Sequence, residues 1–271
     1  MIRLQEIIEA CNELWPEVSA EAWDVPGLLV GNPDSPISKV HFAVDVTAAV
    51  VEEACNAGAN LLIAHHPYLL KPTSSLSENT SKGALLSRAI RSNLAIYSAH
   101  TNADTAEHGV SAEMARRIGL SDAVALEPLG EKIGLGRVGI LDDPITLGTL
   151  ARVIANVLPP TATGVRVAGD FNQLVSRVAL CAGAGDSLIA NAFDAKADVY
   201  VTADLRHHRV QDARESAALN GNLPAVIDVS HWASEWLWLD IAAGQLQSKF
   251  AALEFEVSDL RTDPWDFVIT Q

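Results

Sequence analysis

The sequence predicts an α/β protein of two α/β lobes, each with mostly parallel strands flanked by helices. Three observations carry that prediction. Short apolar runs rich in Val, Ile and Leu recur along the chain, separated by stretches with helical spacing of apolar residues. This alternation marks β-α-β units, whose strands run parallel. A glycine-rich stretch at 128–139 interrupts it in mid-chain and predicts a boundary, with one lobe over 1–128 and the other over 129–271. The apolar runs also end, again and again, in histidine or an acidic residue. Functional groups of open α/β sheets collect at strand C-terminal ends, so a site is expected there.

The elements follow in order. Leu4, Ile7, Ile8, Cys11 and Leu14 keep helical spacing, and Pro16 ends that helix. The steps Pro26-Gly27 and Gly31-Asn32-Pro33 bracket a short apolar strand, with Trp23 read as core and Asp24 as a cap or a site-facing carboxylate. Val40–Val46 reads as a strand. Thr47 then caps a helix that Gly58 closes. Leu61–Ala64 is a buried strand ending in His65-His66-Pro67, and Pro67 cannot donate to a ladder. The polar stretch 71–82 reads as a loop or lid beside the two histidines. A helix over 83–91 follows, then a strand over 94–99 ending in His100-Thr101-Asn102-Ala103-Asp104, then a helix over 111–118. The second lobe repeats the rhythm. It has a helix over 146–158, a strand over 177–181, a helix over 188–193, a strand over 198–201, a helix over 213–219 and a strand over 225–229. A helix from Trp232 to about Ala242 and late extended segments at 255–258 and 267–270 complete it.

Composition narrows the function. The chain has 271 residues, 49% of them hydrophobic, and a net charge of −15. That balance argues against a general nucleic-acid binder, which needs Lys and Arg for phosphates. Cys11, Cys55 and Cys181 are too widely spaced for a zinc pair and odd in number, so they read as core thiols in a reducing compartment. The acidic N-terminal stretch lacks the apolar core of a signal peptide, and no segment offers the roughly 20 apolar residues of a membrane span. A cytoplasmic protein with no membrane partner is expected.

Three predicted strand ends carry metal-competent side chains: His65 and His66, His100 and Asp104, and His231. A fourth carries Asp204 and His208. His231 and Glu235 stand four residues apart and share a helix face, so they can grip one ion, or Glu235 can bridge two. Imidazoles with carboxylates suit Zn, Fe, Mn or Ni, and the ligand types do not choose among them. Taken singly, each motif is matched by a bland reading as a satisfied core histidine or a surface pair. Their repeated placement at strand ends is what a single bland cause does not explain. His100 reads equally as a partner hydrogen-bonded behind a metal ligand, a general acid or base, or a structural imidazole bonded to the backbone. His207, His108 and His41 are read as structural. Gly183-Ala184-Gly185-Asp186-Ser187 reads as a tight turn with an N-cap rather than a phosphate loop, since Leu188 stands where the last glycine of a dinucleotide fingerprint belongs. The Trp232, Trp236 and Trp238 cluster reads as packing.

These motifs resemble those of the GTP cyclohydrolase 1 type 2 homologues, a family of Nif-three-like dinuclear metal proteins. The resemblance runs through Trp23-Asp24 with Gly27–Gly31, His65-His66-Pro67 with Lys71-Pro72, and His100-Thr101-Asn102-x-Asp104. It continues through Cys181-Ala182-Gly183-x-Gly185, Asp198–Thr202 with Asp204, and His231-x-x-x-Glu235. It departs at Val25-Pro26, where the family has Asn-Val, and at Ala203, where it has Gly. The resemblance implies two divalent ions per subunit held by His65, His66, Asp104, His231 and Glu235, with Glu235 bridging. It also implies the short form without an inserted domain, and a homo-oligomer, expected as a hexamer.

The leading expectation is therefore a metal-dependent hydrolase. Two ions roughly 3.5–4 Å apart activate water for attack on a small substrate. By resemblance that substrate is GTP, with Lys71 and Arg206 meeting the triphosphate and His100 or His208 as catalytic proton shuttles. A phosphoesterase would use the same ions. The alternative is a non-catalytic metal-binding scaffold, a metal store or a regulatory protein. Five ligands on two ions leave open positions, which favours chemistry over a closed structural site.

Overall fold

The structure is a computed structural model that describes residues 1–270. In chain order it begins β1 (Ile2–Arg3), α1 (Leu4–Leu14), β2 (Gly27–Val30), β3 (Pro36–Ile37), β4 (Lys39–Ala43), α2 (Ala48–Asn56), β5 (Leu61–Ala64), α3 (Ser81–Arg91) and β6 (Ala95–Ser98). Next come α4 (Thr101–Thr105), α5 (Val110–Arg117), β7 (Ser121–Val124), β8 (Glu127–Pro128), β9 (Gly134–Leu135), β10 (Arg137–Thr146) and α6 (Leu147–Val157). The last are β11 (Arg166–Ala168), β12 (Leu174–Ala184), α7 (Ile189–Asp194), β13 (Val199–Ala203), α8 (His207–Ala218), β14 (Ala225–Val229), α9 (His231–Lys249) and β15 (Glu254–Val257). Two compact units divide the chain. One holds residues 1–103 with 239–262, the other 104–238 with the chain from Asp263.

In the first unit five strands form one sheet in the order β15-β4-β5-β6-β2. The pairs β15–β4, β4–β5 and β5–β6 are parallel, and only β2 runs antiparallel, against β6. Strand β5 is buried throughout, as its unbroken apolar run requires of a central parallel strand. Val50 and Val51 of α2 and Leu85 and Leu86 of α3 pack against Leu62 and Ile96 of the sheet. Thr47 starts α2 by accepting a hydrogen bond from the Val50 N–H at 3.2 Å. Thr47→Ala should therefore lower stability by about 1 kcal/mol, measurable by chemical denaturation.

The second unit has six strands in the order β11-β14-β13-β12-β10-β7. Its middle, β12–β13–β14, is parallel, while β10, β7 and β11 join antiparallel. Tyr200, Val138, Ala179 and Leu188 belong to one of its buried clusters. The α/β class holds, and the departures from the sequence reading are local. The glycine-rich stretch 128–139 lies inside this unit, where it forms the β8–β9 hairpin and opens β10. Its twists hide the strand pattern, because Gly134 and Gly136 take φ of +153° and +60°. Helix α8 begins at His207, earlier than its apolar spacing indicates, since its first two turns face solvent. The segment 267–270 forms no strand despite its β-branched and aromatic residues, because no neighbour offers it a ladder. Trp23 is 58% exposed, a correction to its reading as core. No helix among the described residues is long and apolar enough to cross a membrane.

Candidate metal centre

Within the first unit the parallel ladder carries both histidines of the His-His-Pro motif past the end of β5. The His65 N–H donates to the Ala43 carbonyl at 3.1 Å and the His66 N–H to the Val44 carbonyl at 2.8 Å. The two backbones are thus pinned, and the rings lie 5.0 Å apart. His65 is fully buried, and its Nδ1 lies 2.8 Å from the Ala99 carbonyl oxygen. A carbonyl only accepts, so Nδ1 carries the proton and Nε2 keeps the lone pair. His66 Nδ1 lies 2.7 Å from Asp45 Oδ1, and His100 Nδ1 lies 3.0 Å from Asp24 Oδ1. The Asp45 carboxylate fixes the same tautomer on His66, and Asp24 places a carboxylate beside the His100 ring. His65 and His66 thus carry the proton on Nδ1 and the lone pair on Nε2, the arrangement in which a histidine ligates a metal. One ligand atom from each of His65, His66 and His100 lies within 4.8 Å of the other two, so these three can hold a divalent ion.

The carboxylates are held in turn. Thr262 Oγ1 donates to Asp45 Oδ2. Asp24 accepts from the Thr101 N–H at 3.1 Å and the Thr101 hydroxyl at 2.6 Å. Burial pushes the Asp24 carboxyl up, but the bonds from His100 and Thr101 outweigh it and hold its pKa at about 2. Asp24 thus faces the site, resolving its two sequence readings. The role of Asp45 was missed, because it stands between valines in what read as a continuous strand. Asp45→Ala should weaken metal binding roughly 10–100-fold, the usual cost of losing the partner behind a ligating histidine. Competition titration against a chromophoric chelator would measure it.

Within the second unit, Ser230 caps α9, accepting from the Ala233 N–H at 3.2 Å. His231 opens the helix and Glu235 follows one turn on. His231 Nδ1 lies 2.7 Å from Asp204 Oδ2, and its Nε2 lies 2.8 Å from Glu235 Oε1. Burial pulls the His231 pKa down. The charge of the neighbouring Glu235 and the hydrogen bond His231 donates to Asp204 override it and carry the pKa up to about 11. Glu235 is 3% exposed. The end of β12 makes room for it, since a Cβ at Gly183 would lie 2.3 Å from Glu235 Oε1. The Gly183 N–H donates to Ser234 Oγ at 2.9 Å. The glycine motif thus accommodates Glu235 against α9. Asp104, on α4, acts on the same neighbourhood as Glu235. Burial pushes the Cys181 thiol up, and both carboxylates add to that, taking its pKa to about 12. Cys11 and Cys181 are buried as expected, and Cys55 is half-buried. His208 sits exposed on α8, edge-on to His207 with ring centroids 5.2 Å apart. It joins no cluster of ligand atoms among the described residues.

Parallel strands delivering oriented imidazoles, and a helix opening with a paired His and Glu, define an α/β protein with histidine and carboxylate groups able to hold metal. The Duf34/NIF3 (NGG1p interacting factor 3) family model matches residues 2–264, and the chain belongs to this family. A Streptomyces coelicolor protein called GTP cyclohydrolase 1 type 2 homolog is 43% identical, over 98% of this chain and 94% of that one. A Mycobacterium bovis protein of the same name is 32% identical over 98% and 97%. That second alignment is 374 residues long against a chain of 271, so the relative carries roughly a hundred residues more. Among solved structures, the Bacillus cereus protein related to NIF3 superposes with a TM-score of 0.91 at 26% identity, over 98% of this chain and 99% of that one. The family expected from the motifs is the family found.

Proposed function

We propose that this protein binds two divalent cations through His65, His66, Asp104, His231 and Glu235, with Glu235 bridging, and that it hydrolyses a small substrate with them. The observation that carries this reading is the shared tautomer of His65 and His66, each Nδ1 bonded to a carbonyl or carboxylate, with a His100 ring nitrogen within 4.8 Å of both. Ions held there would supply Lewis acidity and bring the pKa of a water molecule toward neutral. Asp45 and Asp24 keep the rings aimed. His100 either completes the ligand set or moves a proton at its Nε2. His208, exposed on α8, would exchange protons with solvent, and Lys71 and Arg206 would meet phosphates. The relatives' name supports a nucleotide such as GTP as the substrate. The same reading expects a cytoplasmic homo-oligomer, a hexamer by resemblance, which light scattering would count.

The test is metal content of protein purified without added metal or chelator, beside His65→Ala. Close to two ions per chain, falling in the variant, supports the reading. Unchanged content in the variant sinks it. The metal-loaded protein is then offered GTP, with formate release as readout, and simple phosphoesters. Full loading without turnover of either would favour the non-catalytic scaffold.

A further inference from the structure

Arg137 is 3% exposed, and the proposed function gives it no role. Burying a guanidinium is costly unless its charge is answered. Its hydrogen bonds nevertheless all go to backbone carbonyls. Nη1 donates to Gly134 and Gly136, each at 2.7 Å. Nη2 donates to Ala106 at 2.6 Å and reaches Glu107 at 3.4 Å. The first pair belongs to the glycine turn in front of β10. The second pair follows the last residue of α4, two and three residues beyond Asp104. One planar fork therefore fastens the turn after Asp104 to the glycine turn. The glycines are needed for this. A Cβ at Gly134 would lie 2.2 Å from the Glu127 carbonyl, and one at Gly136 2.7 Å from the Leu180 carbonyl.

The electrostatics run the same way. Burial draws the Arg137 pKa down, while Cys181, Glu107 and Asp104 act to raise it. Glu107 has a cation of its own, Lys132 at 2.9 Å. Asp104 thus stands within the field of Arg137 and on a turn that Arg137 holds. We propose that Arg137 is a positioning residue for Asp104, fixing this carboxylate in the metal-binding set through the Ala106 and Glu107 carbonyls. The inference rests on the reading of Asp104 as a ligand. Lysine keeps the charge but cannot span both turns, because its ammonium is a point donor and not a fork.

The test uses the full chain and Zn²⁺ alone as the probe, titrated in competition with a chelator. The variants are Asp104→Asn, Arg137→Lys, Arg137→Met and the double variant Asp104→Asn with Arg137→Lys. Arg137→Lys is expected to weaken Zn²⁺ binding roughly 10–100-fold, as losing a ligand's supporting partner does, with an unchanged circular dichroism spectrum. The double variant should bind no more weakly than Asp104→Asn, because two changes acting through one group are not additive. Wild-type affinity in Arg137→Lys, or losses that multiply in the double variant, overturns the proposal. Should Arg137→Met fail to fold, Arg137→Lys decides. If Asp104→Asn binds normally, the metal reading of Asp104 falls and takes this inference with it. If Asp104→Asn weakens binding and Arg137→Lys does not, only this inference falls.

Discussion

Glu235→Ala is expected to lose most of its bound divalent metal while keeping its fold. The carboxylate is buried and its Oε1 lies 2.8 Å from His231 Nε2, so the change removes one proposed ligand and loosens another. The loss in affinity should exceed the roughly 10–100-fold of a supporting residue such as Asp45. Elemental analysis of the purified variant checks it, and metal content equal to wild type would refute the role. Glu235 also sets the pH behaviour. In the metal-free protein His231 carries its proton up to about pH 11, against an ordinary value of 6.5. A raised histidine pKa contributes stability that is fully present below about pH 6.5 and fades as the pH climbs toward 11. A metal taking Nε2 must expel that proton. Metal uptake at neutral pH should therefore release protons and tighten as pH rises. Calorimetric titration in two buffers of different ionisation enthalpy reads the proton count, and equal apparent enthalpies in both would contradict it.

Gly183→Ala should damage stability and metal binding together. Gly183 has φ of +69°, where an L side chain costs about 1–2 kcal/mol. The new methyl would also stand 2.3 Å from Glu235 Oε1 and 3.3 Å from His231 Nε2, so the glutamate must swing away or β12 must move. A total near 2 kcal/mol or more is expected, with weaker metal retention. Gly244→Ala is the matched control. It lies within α9 with nothing inside 4 Å of its would-be Cβ. Alanine there should be neutral or stabilise by up to about 1 kcal/mol through helix propensity. Thermal melts of the two variants, with and without metal, separate the effects, and equal behaviour would show that Gly183 carries no special burden.

The sequence by itself determined the α/β class, most elements and the ligand candidates. Those signals are local. Helical spacing in 4–14, the unbroken apolar run 61–64, Thr47 before a helix and histidines directly after strands each depend on residues close together in the chain. Even Glu235 with His231 is a one-turn relation. Tertiary structure decided what depends on distant residues. The pairing of His66 with Asp45 spans 21 residues, and that of Thr101 with Asp24 spans 77. No periodicity encodes such partners. The antiparallel place of β10 was hidden for the same reason: its identity rests on β12 and β7 beside it, and glycines blur its own pattern. The apolar residues of 267–270 show the converse. Their β propensity is plain in the sequence, but a strand exists only where a neighbour supplies the ladder. Which side chains can hold a metal was thus legible locally, whereas the tautomer that lets them do so is set by carbonyls and carboxylates that folding brings from elsewhere.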